Sequence, residues 1–482
     1  DAAQKSHQID PARSQGWELA AAARQRMGDL SGAIETCRPA LRSVQRPARL
    51  QYSLGQLLRQ DCAFVEAADA YRAAEKAGFT SPDLYDNLAA ALIDAGHPDQ
   101  AVDSARRGIA AYPQHAGLHR TLARVRHSAA ATGDPLADLQ TAARAAKTNP
   151  ELWQTLVELQ KRLGRDTESS QALLEARRSG CPDTPGILAL ESMDAARRGR
   201  PEEAKAGFES LLAKAPKNRL VLHAYIEMLV RLGDFERACE LCEEVLAEDS
   251  FDQIVLSYLG ILWRLLGDSR ESWLLDYEKM VVPVPVQAPE GVQRDEFFRE
   301  LRDVLEGLHN YNAHPIEQSV RGGTQTNGFL FRLKHARLAD LERQLRMAIA
   351  SAVQAFPRDD DHPFWSRRHR APTSDGLRFA GAWSVRLRSQ GYHTNHIHPE
   401  GWISSAFYVD LPREVREASD TSGFIQFGAP MSELGLDLPP RRILKPEVGT
   451  LVLFPSYMWH GTVPFESDEP RITVAFDLLP ES

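Results

Sequence analysis

A glycine followed by a short polar turn recurs at a fixed interval in the first half of this chain. That interval restricts the possible folds more than any other feature. Gly199, Gly233 and Gly267 stand 34 residues apart, and so do Ala204 and Ala238 behind the first two. Pro216 and Ser250, which close the intervening stretches, are also 34 apart. Upstream, Gly164 and Gly96 fit the same frame, Gly28 and Cys62 fit it with less fidelity, and Gly133 fits with irregular spacing. Residues 1–270 between these points are rich in Ala, Leu, Arg and Glu with helical periodicity. A period in this range marks stacked helical pairs. Glycine permits the tight turn between two helices, a small alanine lets them approach, and proline ends the second one. Residues 84–113 show this grammar in full: Asn87, Leu88, Ala91, Gly96, Ala101 and a closing Pro113. One pair cannot bury its apolar face, so several stack into a solenoid with a concave groove. About seven pairs are expected in residues 1–270.

The period stops after Gly267. Residues 273–281 still read as helix, but residues 282–289 alternate proline with valine and must be extended. Residues 271–290 are therefore read as a helix and a Pro-rich linker. Residues 295–308 and 338–356 have the pattern of amphipathic helices, with a polar loop expected at 318–327. From residue 377 onward the pattern changes to short alternating runs: 379–387, 403–409, 423–427, 450–454 and 472–478. Many short strands separated by turn residues suggest a sandwich or jelly roll.

Composition excludes several classes. A hydrophobic fraction of 43% with 26% charged residues is that of a globular protein. The net charge of −9 gives no basic excess for nucleic acid. No run approaches the ~18 apolar residues of a membrane span; the most apolar one, residues 255–266, is broken by Arg264. The five cysteines, Cys37, Cys62, Cys181, Cys239 and Cys242, are sparse and odd in number, which argues against a disulfide framework and for a reducing, cytoplasmic setting. Cys239 and Cys242 form a C-x-x-C string with no second pair, so they are read as packing residues. The chain begins at Asp1 rather than Met, so it carries no argument about targeting.

Chemistry concentrates in the β region. His393, His396 and His398 lie close together, His460 follows 64 residues after His396, and Arg471 comes 11 residues later. Residues two apart on a strand share a face, so His396 and His398 can hold one ion. His460, from another strand, completes a facial set of three and leaves open coordination positions. Arg471 suits a carboxylate as a bidentate clamp, and the hydroxyl of Thr473 points to the same face. A second set is open: His398, Glu400 and His460. It includes a carboxylate to offset the metal's charge, but Pro399 disturbs the alternation that would bring Glu400 round. The set His396, His398 and His460 is preferred. The odd spacing of His393 points it away from the other two, so it is read as a surface residue or as one that supports the ligands from behind.

The 34-residue grammar resembles the tetratricopeptide repeat. Residues 273–480 resemble the 2-oxoglutarate/Fe(II) oxygenase superfamily, most of all bacterial oxygenases with a His-x-His-Pro motif, often found behind such repeats. The matching pieces are residues 318–326, His396 to Pro399 with residues 401–408, residues 449–460, and Arg471 to Thr473. The resemblance implies a double-stranded β-helix (jelly-roll) fold and the cofactors Fe(II), 2-oxoglutarate and O2. By the same analogy His396 and His460 are metal ligands, and Arg471 holds the distal carboxylate of 2-oxoglutarate. Most of the superfamily has His-x-Asp or His-x-Glu where this chain has His396, Ile397 and His398. The expected architecture is multidomain α + β: a repeat solenoid over 1–270, the linker at 271–290, and an oxygenase-like jelly roll with flanking helices over 291–482.

Around these motifs, Arg321, Gln325, Trp402 and Trp459 are candidates for lining a substrate site. For Trp402 and Trp459, as for Trp383, core packing is the plainer reading. Arg321, Gly322 and Gly323 lack the Lys of a phosphate loop and are read as shaping a rim or, equally, as a plain structural turn. The function expected is hydroxylation of a side chain on a protein or peptide held in the repeat groove. The alternative is a repeat adaptor whose β domain is a non-catalytic sensor. The joint presence of Arg471 and three inward histidines favours catalysis. A small-molecule oxygenase whose repeats only oligomerise is a third reading.

Overall fold

The structure, a computed structural model, describes residues 14–310, 313–370 and 376–480. Among these residues, seven successive helix pairs run from Ser14–Arg26 and Leu30–Ala40 to Arg219–Leu232 and Phe235–Glu248, and Gln253–Leu266 follows. The repeat frame is visible in the backbone. Gly28, Gly96, Gly164, Gly199, Gly233 and Gly267 are all left-handed, with φ between 68° and 81°. Cys62 takes the same conformation at φ 59°. The position 34 after Gly96 is Ala130, at φ 51°, so the fourth turn belongs to Ala130 and not to Gly133. Two turns of the array therefore carry a Cβ in a region that disfavours one by roughly 1–2 kcal/mol.

The chain forms two compact units. The first is Asp1–Ser169 with two returning segments, Asn310–Ile316 and Asn327–Lys334. Its core is built on small residues: Ala33, Ala67, Ala74, Ala89 and Ala101 are fully buried and let helices close around Leu50, Leu88 and Tyr71. The second returning segment is bound at helix-pair turns. Asn327 Nδ2 donates to Asp94 Oδ1 at 2.7 Å, Arg332 Nη1 donates to the Gln60 carbonyl at 2.9 Å, and Lys334 Nζ reaches Asp61 Oδ2 at 3.0 Å.

The second unit holds the later repeats together with the β domain, so compactness divides the chain inside the repeats and not near residue 270. Helix Gln253–Leu266 is the physical reason. Val255, Leu256, Tyr258, Leu259, Ile261, Leu262 and Trp263 are all buried, leaving it little polar face. It packs on its repeat neighbours and also on the β domain. Trp459 Nε1 donates to the Ser257 carbonyl at 3.1 Å, and Arg264 donates to the carbonyls of Gly428 and Pro439 at 2.9 and 2.8 Å. No helix among the described residues is long and apolar enough to cross a membrane.

Among the described residues, nine strands follow: β1 (Val282–Pro285), β2 (Val320–Gln325), β3 (Arg378–His393), β4 (Ile403–Asp410), β5 (Ile425–Phe427), β6 (Arg442–Leu444), β7 (Thr450–Pro455), β8 (His460–Thr462) and β9 (Arg471–Leu479). They form a six-stranded sheet in the order β1-β7-β4-β9-β3-β2 and a three-stranded sheet in the order β6-β5-β8, with every pairing antiparallel. This two-sheet layout agrees with the expected jelly roll. Helix Arg294–Glu306 covers β4 and β9, with Phe298 and Phe407 ring centroids 6.1 Å apart. Helix Ala336–Ala355 lies against β1.

Two segments differ from the sequence reading. The Pro-rich stretch taken as linker contains β1, and two short helices, Arg270–Leu274 and Tyr277–Met280, precede it. Prolines are tolerated in β1 because it is an edge strand. The loop expected at 318–327 contains β2, paired with β3 through an irregularity between Arg321 and Gly323. Gly322 is left-handed at φ 62°, and a Cβ there would stand 2.9 Å from Gly391 Cα. The glycines that argued for a loop are what let the two chains approach at this bulge.

Ala130→Gly removes a Cβ from an exposed left-handed position. It should stabilise the chain by roughly 0.5–1 kcal/mol, after the added freedom of the unfolded chain is subtracted. A urea midpoint that stays level or falls would contradict this account of the fourth turn.

Candidate metal centre

The site begins with the backbone. His396 N–H donates to the His460 carbonyl at 2.9 Å, and His460 N–H returns the bond to His396 at 3.1 Å. This isolated antiparallel bridge joins the segment after β3 to the start of β8. Two residues on, His398 N–H donates to the Ser456 carbonyl at 2.9 Å. His396 and His398 therefore lie outside a regular strand but keep its alternation, and their Nε2 atoms are 3.1 Å apart. With His460 they form a cluster whose candidate ligand atoms all lie within 4.8 Å of one another. Glu400 is exposed and outside this cluster, so the second ligand set is not assembled. The chain turns at Pro399 and Glu400, which ends the alternation.

The outward nitrogen of each ring is already engaged. His396 Nδ1 lies 2.8 Å from the Thr394 carbonyl, and His460 Nδ1 lies 2.9 Å from the Met458 carbonyl. A carbonyl can only accept, so both Nδ1 atoms carry the proton and both Nε2 atoms present a lone pair. His398 Nδ1 lies 2.6 Å from Asp477 Oδ1, which assigns it the same tautomer. Burial, reinforced by the neighbouring His398, pushes His396 down to about 3. Burial, followed by its neighbours His396 and His398, holds His460 well below the ordinary histidine value. Both rings are thus neutral at neutral pH, the form a metal requires.

Arg471 and Thr473 sit on β9, the strand between β4 and β3. Arg471 is only 2% exposed. Its Nη1 donates to Thr462 Oγ1 at a long 3.4 Å, its guanidinium lies 5.2 Å from the Tyr408 ring centroid, and its buried Nε has no hydrogen-bond partner. The buried Tyr408 hydroxyl is turned to this same guanidinium. No acidic side chain among the described residues pairs with this guanidinium. An uncompensated buried charge costs several kcal/mol, and a ligand carboxylate would satisfy it. The donor set therefore fits the group that the sequence suggests.

Three residues near the histidines were not anticipated in these positions. His393 does not point away: its ring stacks on His396 with centroids 5.7 Å apart, and its Nδ1 is 3.0 Å from Ser319 Oγ. Its spacing misleads because regular alternation breaks after β3. Ser319 Oγ is also 3.2 Å from His396 Nε2. Asp477 was missed although a signal existed, since Arg471, Thr473, Ala475 and Asp477 alternate along one strand and share a face.

The substrate candidates divide. Trp402 is buried with Nε1 donating to the Phe364 carbonyl at 3.0 Å. Trp459 is buried against helix Gln253–Leu266, its ring 6.1 Å from that of Tyr258. Both are core residues, held by the indole hydrogen bond that a buried Trp needs, and they leave the list. Arg321 and Gln325 remain half-buried on β2, with Arg321 Nη1 donating to the carbonyls of Gln318 and Val320 at 2.7 and 2.8 Å. Cys239 and Cys242 are buried free thiols, and burial raises both.

Residues 381–477 match the family described as "Putative 2OG-Fe(II) oxygenase", and residues 19–82 and 190–253 match the tetratricopeptide repeat. A comparison with curated proteins gives no match. Similar solved structures include YrrB, titled a TPR protein with an unusual peptide-binding site, at 16% identity and TM-score 0.27, covering 47% of this chain and 98% of that one. A tetratricopeptide repeat protein from Parabacteroides merdae covers 61% of this chain and 97% of its own, at 14% identity and TM-score 0.35. TTC0263, a TPR protein of Thermus thermophilus, covers 38% and 98%, at 21% identity and TM-score 0.27. The chain thus carries tetratricopeptide repeats within residues 19–253 and, at residues 381–477 toward its C-terminus, a domain that matches the family described as a putative 2OG-Fe(II) oxygenase.

Proposed function

We propose that the C-terminal domain binds Fe(II) through Nε2 of His396, His398 and His460 and binds 2-oxoglutarate through Arg471 and Thr473. On this reading it hydroxylates a side chain of a protein or peptide recruited by the repeats. One observation carries the reading: a buried guanidinium without a carboxylate occurs in the same domain as three imidazoles whose Nδ1 atoms are engaged.

Fe(II) with 2-oxoglutarate and O2 supplies the oxidising power to place one oxygen atom in a C–H bond, while 2-oxoglutarate loses CO2 and becomes succinate. The chain's own residues bind, orient and exclude water. His396, His398 and His460 would hold Fe(II) and leave room beside it for co-substrate and O2. The Thr394 and Met458 carbonyls fix the rings of His396 and His460, so neither must reorganise. Arg471 fixes the far end of the co-substrate, and the hydroxyls of Thr462 and Thr473 offer further hydrogen bonds there. Burial of Arg471, Tyr408 and Thr473 keeps that end dry, which strengthens a charged hydrogen bond. Arg321 and Gln325 on β2 are the residues we assign to substrate contact. The tetratricopeptide array is of a kind that commonly presents a peptide surface, and its fusion to the oxygenase domain supports a protein or peptide substrate.

The direct test is anaerobic titration with Fe(II) and then 2-oxoglutarate, following the visible charge-transfer band of the chelate. The wild-type chain should develop the band, His398→Ala and His460→Ala should lose it, and Glu400→Ala should keep it. Loss of the band in Glu400→Ala would instead restore a ligand set with one carboxylate. Arg471→Met should weaken 2-oxoglutarate by roughly 100-fold, about 3 kcal/mol for a charged hydrogen-bonded pair, while Fe(II) affinity stays level. A wild-type chain with no band at saturating 2-oxoglutarate would overturn the reading.

A further inference from the structure

Three neutral imidazoles do nothing to offset the charge of a divalent ion, and burial makes that charge costly. A ligand carboxylate would offset part of it, but Glu400 is exposed and outside the cluster. The structure instead puts a carboxylate one hydrogen bond further out. Asp477 Oδ1 is 2.6 Å from His398 Nδ1, and both side chains are only 13% exposed.

Asp477 is itself held in place. Ser404 Oγ lies 2.6 Å from the same Oδ1 and 2.9 Å from Ser456 Oγ. Ser404 has one hydroxyl proton, and an ionised Asp477 can only accept. Ser404 therefore donates to Asp477, and Ser456 donates to Ser404. Strand register supports the arrangement, since Ser404 of β4 pairs directly with Asp477 of β9. The fold also leaves room for it: a Cβ at Gly401 would run into Ser456 Oγ and stand 3.3 Å from Asp477 Cβ. The Ser456 carbonyl accepts the His398 backbone N–H, so one residue steadies both the histidine and the hydroxyl chain behind its carboxylate partner.

We propose that Asp477 is a positioning residue of the metal centre: it holds His398 with Nε2 inward and supplies the negative charge that the three-histidine set lacks. The proposal rests on the reading of this domain as an iron site. An imidazole that donates Nδ1–H to a carboxylate is a stronger ligand than one bonded to a carbonyl, and removing such a partner typically weakens metal binding 10–100-fold. His398 is in this respect unlike His396 and His460, whose Nδ1 partners are neutral carbonyls. The site would then be charge-compensated through one ligand only.

Asp477→Asn in the full chain keeps the side-chain shape and a hydrogen-bond acceptor while removing the charge. Glu400→Gln makes the same charge change at an exposed site. Anaerobic Fe(II) titration of Asp477→Asn should show about 10–100-fold weaker binding, and the 2-oxoglutarate charge-transfer band should move to shorter wavelength because the metal is less electron-rich. Glu400→Gln should match wild type in both, and thermal melting of the metal-free chains checks that folding is intact. A merely structural role for Asp477 would not move the band. If Asp477→Asn binds Fe(II) like wild type with the band in place, while His398→Ala abolishes binding, the iron site stands and this proposal falls. If the wild-type chain binds no Fe(II), both fall together. Should Asp477→Asn not fold, Ser404→Ala leaves the charge but removes one hydrogen bond to it. A several-fold loss of Fe(II) affinity would support the proposal, and an unchanged affinity would overturn it.

Discussion

The two backbone hydrogen bonds between His396 and His460 are the constraint on which the candidate centre depends. They join segments 64 residues apart, a closure that costs chain entropy and must be recovered by packing. The recovery comes from the β domain. His460 also pairs through β8 with Phe427 of β5, and its ring lies 4.5 Å from that of Phe454. The histidine cluster is thus a product of closing the smaller sheet over the larger one. The other half of the site comes from β9, flanked by β4 and β3 on its two sides. Its alternation presents Arg471 and Thr473 at one end and Asp477 at the other. Backbone ladders carry most of the positional information, and side-chain hydrogen bonds refine ring angle and tautomer.

What could be read in the sequence, and what could not, follows from the range of the interactions. The repeats were legible because each turn needs a left-handed residue and glycine announces it. Ala130 hid the same turn, and Cys62 showed it only through its place in the frame, since a side chain at that position gives no local sign of its φ. The three histidines and Arg471 were legible by type and order. Asp477 could have been placed on their face by alternation along β9, but its role, like that of Ser319, depends on pairing across strands, Ser404 with Asp477 and Val320 with His393. Trp402 and Trp459 sit beside the motifs in sequence, yet each indole donates to a carbonyl in the core. Proline and glycine content misled at β1 and β2, where an edge and a bulge tolerate residues that a central strand would reject.

Helix Gln253–Leu266 shows how one element can serve two folds. As the first helix of an eighth repeat unit it presents an apolar surface to the helices before it. With the β domain on another side, it has few positions left for polar residues. Its composition, the most apolar in the repeat region, follows from having neighbours on several faces rather than from any affinity for lipid.

The edge strand β1 has a consequence for how the protein behaves among other chains. Val286 N–H donates to the Gly449 carbonyl, so by alternation the N–H groups of Val282 and Val284 face β7. The nitrogens of Pro283 and Pro285 then face the open side, where they have no hydrogen to give. A foreign strand approaching this border of the six-stranded sheet would meet carbonyls and no donors, and could form only part of a ladder. The residues that look like a flexible tether in the sequence thus act as a barrier to sheet extension, protecting the domain from strand-to-strand aggregation.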